Sequence, residues 1–154
     1  MITEIKMNNF NDKNLKINRS TNDKLTEKII GACYKVHNLL GPGFNEKTYQ
    51  NALKIILKNR SLKFICEKSF AVKLQNEIIG KFRADLIVED KIIVEIKAIH
   101  GFRPKAFEAQ VIAYLKATGL QTGLLINFGN NSCQIRRLIN GNYSDNKDYG
   151  DKSL

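Results

Sequence analysis

The sequence is poor in the residues that build disulfide frameworks and thiol–metal sites. Its three cysteines, Cys33, Cys66 and Cys133, lie far apart without paired spacing, and its two histidines are His37 and His100. An odd, scattered set of cysteines fits buried thiols in a reducing cytoplasm rather than disulfides, and so few Cys and His make a zinc site improbable. No apolar run reaches the ~18 residues of a transmembrane helix, so no membrane association is expected. The stretch from Met1 to Ser20 is rich in Asn and Lys and has no apolar core segment, which argues against a secretory signal. No internal repeat stands out. Gly41-Pro42-Gly43 is not followed by the Gly-Lys-Ser/Thr of a phosphate loop, which rejects a nucleotide-binding reading.

What is present is an ordinary globular composition with a strong basic bias. The chain has 154 residues, 43% hydrophobic and 26% charged, enough for one domain with a sizeable core. Lys and Arg number 25 against 15 Asp and Glu, a net charge of +10, and the excess lies in residues 1–140 because residues 141–154 are slightly acidic. Such an excess favours a polyanionic partner, nucleic acid being the commonest, although a Lys-rich composition that only solubilises the chain explains it equally well.

Hydrophobic periodicity divides the chain into elements. Leu25, Ile29, Ile30, Cys33, Val36 and Leu40 repeat at three or four and predict an amphipathic helix from about Asn22, ended by Gly41-Pro42-Gly43. A second helix is expected from Asn45, a plausible N-cap, with Tyr49, Leu53, Ile56 and Leu57 on one side. The period then shortens. Strands are predicted over Phe64–Leu74, Ile78–Val88 and Ile92–Ile99, with turns at Gln75-Asn76-Glu77 and Glu89-Asp90. Pro104 suits the first turn of a third helix bearing Phe107, Val111, Tyr114 and Leu115, with Gly119 as its C-cap. Strands at Gly123–Phe128 and Cys133–Ile139 complete the order α-α-β-β-β-α-β-β. The expected fold is α/β with a mixed sheet (α+β), since a strand–helix–strand crossover makes the third and fourth strands parallel. The expected layout is a flexible tail over 1–20, one domain over 21–140 and a polar tail over 141–154.

The stretch "FRADLIVEDKIIVEIKAI" places Asp85, Glu95 and Lys97 inside the two most apolar strands. Glu95 and Lys97, two apart, share a face, with Val94, Ile96 and Ala98 pointing the other way. A turn centred on Asp90 sets Asp85 opposite Glu95, at about 5 Å. Like charges directly opposite destabilise a sheet, whereas a hard divalent cation such as Mg²⁺ is commonly held by one or two carboxylates with water and phosphate oxygens. Lys97 adds a charge able to offset that of a scissile phosphate. The competing reading is a salt-bridged triad in which Asp85, Glu95 and Lys97 neutralise one another.

Asp85…Glu95-Ile96-Lys97 resembles the D…(D/E)-x-K signature of the PD-(D/E)XK nuclease superfamily. Gly43-Phe44-Asn45-Glu46-Lys47-Thr48-Tyr49 resembles the motif that names its GxxExxY branch. "EAQVIAYLKATG" from Glu108 and "GLLINFG" from Gly123 are similar to the same branch, so the resemblance spans about Leu25 to Ile139. It implies a restriction-endonuclease-like core and Mg²⁺ (or Mn²⁺) bound by Asp85 and Glu95. Lys97 would be the catalytic lysine, and Glu46 an additional acid that helps complete metal binding. Gln110 and Tyr114 look like a Q-x-x-x-Y pair beside the site, on one helical face. The chain departs from the branch at Phe107, commonly His, and at Ala113, often Asn.

Each of these residues also has a structural reading. Glu46 suits a helix's first turn through the macrodipole, Tyr49 and Tyr114 lie on apolar stripes as core residues, and Gln110 can serve a hydrogen-bond network. The function expected is metal-dependent hydrolysis of nucleic-acid phosphodiesters, DNA foremost, by a cytoplasmic protein. Arg83 and Arg103, with Lys81 and Lys105, would hold the backbone. The alternatives are a catalytically weak or inactive nucleic-acid-binding module of the same fold, and a structural homodimer whose charged residues form an ion-pair cluster.

Overall fold

The structure, a computed structural model, describes residues 3–5, 19–101 and 104–140. Its elements run β1 (Thr3–Ile5), α1 (Arg19–Leu40), α2 (Glu46–Asn59), β2 (Phe64–Leu74), β3 (Glu77–Val88), β4 (Ile92–Lys97), α3 (Lys105–Thr118), β5 (Thr122–Asn127) and β6 (Gln134–Ile139). The six strands form one mixed sheet in chain order. β1 and β2 are parallel, as are β4 and β5; the other neighbours are antiparallel. The crossover through α3 is the one the sequence predicts.

Local chemistry sets the element boundaries. The Asn45 carboxamide accepts the Thr48 N–H at 2.9 Å and caps α2. α3 closes at Gly119, whose N–H donates to the Leu115 carbonyl at 2.9 Å in a left-handed cap. The β2–β3 and β3–β4 turns each place two successive residues at positive φ, Gln75-Asn76 and Glu89-Asp90, the backbone that matches the right-handed twist of paired strands. Glu89 is held there by a reciprocal pair with Lys63, each backbone N–H finding an acceptor on the other residue at 2.8 Å.

Two apolar layers sandwich the sheet. One lies under α1 and α2 and contains Leu86, Val88, Ile92, Val94, Ile96, Leu124, Ile126 and Phe128. The other lies under α3 and contains Ala84, Ile87, Ile93, Val111, Leu115 and Leu125. β4 feeds both by strict alternation. β2 and β3 do not alternate strictly. Cys66 and Leu86 pack toward α1 and α2, while Phe70, Phe82 and Ala84 pack toward α3. The pairing between these strands is interrupted at Glu67 and Asp85, and Glu67 has φ 52°, so the ribbon makes a half-turn there.

Three elements depart from the sequence reading. Thr3–Ile5, inside the expected tail, adds a short edge strand on β2, and α1 begins at Arg19 rather than near Asn22. β4 stops at Lys97 instead of Ile99, because the Ile99 N–H and carbonyl are taken up by the Asn127 side chain. The expected polar tail, residues 141–154, lies outside the described residues, as does Arg103. Among the described residues no helix is long and apolar enough to cross a membrane.

Candidate active site

β3 and β4 pair at Val88–Ile92, Ile87–Ile93 and Leu86–Val94, and the pairing ends there. The expected Asp85–Glu95 opposition is therefore made not by backbone pairing but by the two carboxylates. The Asp85 N–H donates to Glu95 Oε1 at 3.1 Å, and the Ile96 N–H donates to Asp85 Oδ2 at 2.8 Å. Each acid stands in for the carbonyl that the diverging strand no longer offers. The Gln50 side chain, on α2, donates to the Asp85 carbonyl at 3.2 Å and takes up another group left over by the fork.

Glu95 is 3% exposed and Asp85 is half-buried. Burial pushes the Glu95 carboxyl up to about 8, and the Asp85 carboxylate pushes the same way; the Asp85 N–H and the Lys97 ammonium oppose them. The ion-pair triad is not formed. Among the described residues no carboxylate lies within 4 Å of Lys97 Nζ. That ammonium instead stands 4.7 Å from the centroid of the Phe107 ring. Backbone N–H groups reach Oδ2 of Asp85 and Oε1 of Glu95, and the two side chains also interact with each other directly. Two adjacent acids, stitched into the backbone and not neutralised by the neighbouring lysine, fit a hard divalent cation.

α3 covers the fork. Gln110 donates to the Tyr114 hydroxyl at 2.8 Å, so the predicted pair does share a face. Burial raises the Tyr114 phenol above its usual range, and the charges of Glu95 and Asp85 add to the shift, while Gln110 opposes it. The Tyr114 ring stacks on Phe82 at 4.1 Å, and Phe82 stacks on Phe70 at 5.0 Å.

The remaining predicted residues stand further out. Arg83 is exposed, two residues before Asp85, and its charge helps hold the Glu67 carboxyl low, behind the larger effect of the Lys47 ammonium at 2.7 Å. Lys81 and Lys105 are exposed. Glu46 is exposed on the first turn of α2, one turn before Gln50. Among the described residues no three acids, histidines or cysteines gather to hold an ion, so Glu46 stands apart from Asp85 and Glu95.

Its motif partners have a structural task. Gly43 has φ 113°, a conformation L side chains rarely adopt. The fully buried Tyr49 donates its hydroxyl to the Gly41 carbonyl at 2.5 Å and accepts the Phe44 N–H at 3.3 Å, while its ring stacks on Phe128 at 4.7 Å. Glycine and tyrosine thus build the turn that starts α2.

Sequence reasoning passed over a polar clamp behind Lys97. Asn127 is fully buried. Its carbonyl oxygen accepts the N–H groups of Ile99 at 2.8 Å and Gly129 at 3.2 Å; its amide donates to the Ile99 carbonyl at 2.9 Å and to Gln134 at 3.1 Å. The Phe128 N–H donates to the Lys97 carbonyl at 2.9 Å. A Cβ at Gly129 would lie 2.3 Å from the Ile99 nitrogen, so only glycine allows this approach. One signal was available: Asn127 is the lone polar residue closing "GLLIN". Gln50 gave none beyond its position one turn after Glu46.

Residues 23–138 match the PD-(D/E)XK nuclease superfamily. No curated protein matches the chain. The crystal structure of SSO0001 aligns over 81% of this chain and 62% of its own, at 19% identity and a TM-score of 0.49. The chain therefore spans less than two thirds of that protein's length.

Proposed function

The chain belongs to the PD-(D/E)XK nuclease superfamily, and from that premise we propose that it hydrolyses phosphodiester bonds of nucleic acid, DNA foremost, at the β3–β4 fork. The reading is carried by one observation. Two carboxylates lie side by side in a mostly buried setting, and the lysine beside them is turned to a ring rather than paired with either. Folding alone gives no reason to bury two acids side by side where each opposes the ionisation of the other.

Asp85 and Glu95 would hold Mg²⁺ or Mn²⁺, which supplies Lewis-acid charge to the phosphodiester. Lys97 carries a proton donor and a positive charge next to where phosphate negativity grows. Gln110 and Tyr114 line the substrate side, and Arg83 with Arg103 grips the backbone without reading bases. Glu46 would join through solvent or through movement of α2. The finer assignment is the GxxExxY branch, supported by the joint work of Gly43 and Tyr49 in presenting Glu46.

The separation of Glu46 from the two acids favours a second reading, a binding module that retains the fold without turnover. Cleavage of plasmid, single-stranded and RNA substrates in Mg²⁺ or Mn²⁺ separates the two. The nuclease reading expects turnover that falls at least 100-fold in Lys97→Ala. It also expects calorimetric metal binding that Asp85→Asn removes. Salt-sensitive binding without turnover of any substrate supports the module instead. Equal turnover by Lys97→Ala overturns the assignment of that lysine.

A further inference from the structure

We propose that Phe107 is a positioning residue for Lys97, its ring face keeping the ammonium off the two carboxylates; this rests on the nuclease reading above. An ammonium two residues from a buried carboxylate, on the same strand face, has an obvious partner in Glu95. Pairing there would use up the charge meant for a cation and fill the space between the acids. In the structure the ammonium sits against the Phe107 ring instead, at 4.7 Å from its centroid. A π face attracts a cation without neutralising it and without accepting its proton in an ionised pair. The lysine therefore keeps its charge and its N–H donors for a phosphate.

Both sides of this contact are fixed. The Lys97 carbonyl accepts the Phe128 N–H, and Asn127 grips Ile99 two residues on. Phe107 lies in the first turn of α3, where its N–H donates to the Pro104 carbonyl at 2.9 Å. Phe107, Gln110 and Tyr114 are spaced three and four apart, so they form a single stripe of that helix. One end of the stripe faces Lys97, and the other lies within the electric field of Asp85 and Glu95.

The test compares Phe107→Leu, which removes the π face and keeps an apolar side chain, with Phe107→Tyr, which keeps the face. Two readouts are needed: kcat and KM for DNA cleavage, and the NMR shifts of the Lys97 ε-methylene protons, which a ring face moves upfield. Phe107→Leu should lower kcat about tenfold with KM within about twofold, and return the Lys97 resonances to ordinary lysine positions. Phe107→Tyr should keep kcat within about twofold of wild type and retain the upfield shift. An equal loss in both variants, or Lys97 resonances that Phe107→Leu does not move, would overturn the proposal. Wild-type protein without turnover would sink the nuclease reading, and the resonances would still decide whether the ring seats the lysine.

Discussion

β4 shows two different solutions to burial on its two faces. Toward α1 and α2 it presents Ile92, Val94 and Ile96, packed among Leu86, Val88, Leu124 and Ile126. Toward α3 it presents Ile93, then Glu95 and Lys97, next to Asp85. The first face supplies stability; the second spends some of it. Glu95 resists ionisation up to about 8 because the strand that holds it offers little solvation. The layer on the other side of the strand, covered by α1 and α2, is apolar and fully buried. The difference teaches that the site and the main core are two sides of one six-residue strand.

Three measurements break or sharpen this contrast. Leu124→Ala on the apolar face should cost about 2–5 kcal/mol in chemical denaturation, the range for a fully buried leucine. It should leave the turnover proposed above, where present, intact in the remaining folded protein. A loss below about 1 kcal/mol would show that this layer is not the one that carries stability.

Glu95→Gln should act in the opposite direction, and only at high pH. The folded-state value of Glu95, about 8, lies above its ordinary 4.5. The stability this creates is fully present below about pH 4.5 and is lost as pH rises through about 8. Wild type in chelator should therefore weaken across that window by something on the order of 1–4 kcal/mol, and Glu95→Gln should flatten the slope. Equal slopes in the two proteins, read from urea midpoints, would show that Glu95 ionises as easily as an exposed acid.

The smallest effect belongs to Tyr49→Phe. It keeps the stack on Phe128 but removes the hydroxyl that joins Gly41 to Phe44. The expected loss is about 1 kcal/mol. A loss of several kcal/mol in the same denaturation experiment would mean that the turn before α2 is a larger part of the fold than one hydroxyl implies.

Much of the architecture was legible because period and punctuation agree. Asn45 caps, Gly119 closes, and the β2–β3 and β3–β4 turns fall at the polar residues that the sequence marks. The parallel crossover followed from a strand, a helix and a strand in that order. The short strand Thr3–Ile5 was not legible, since three residues carry no period and its pairing with β2 is set by distant sequence. In the candidate site, Asp85, Glu95 and Lys97 stand out in the sequence because charges interrupt apolar strands, and Gln110 with Tyr114 because they resemble a Q-x-x-x-Y pair. The fork itself was invisible: counting back from Asp90 gives the right opposition, but not that pairing stops at Leu86–Val94. The position of Glu46 relative to the acids depends on how α2 leans on the sheet, which no local pattern encodes. Phe107 was visible as a departure, and only the structure joins it to Lys97.

The half-turn at Glu67 has its own consequence for the aromatic residues. Continued alternation from Leu86 would have aimed Phe82 at the α1 and α2 side. Instead pairing is interrupted at Glu67 and Asp85, both strands change phase there with no residue inserted or removed, and Phe82 arrives beneath Tyr114. One interrupted pair thereby decides that the outer half of the hairpin turns its aromatic rings toward α3.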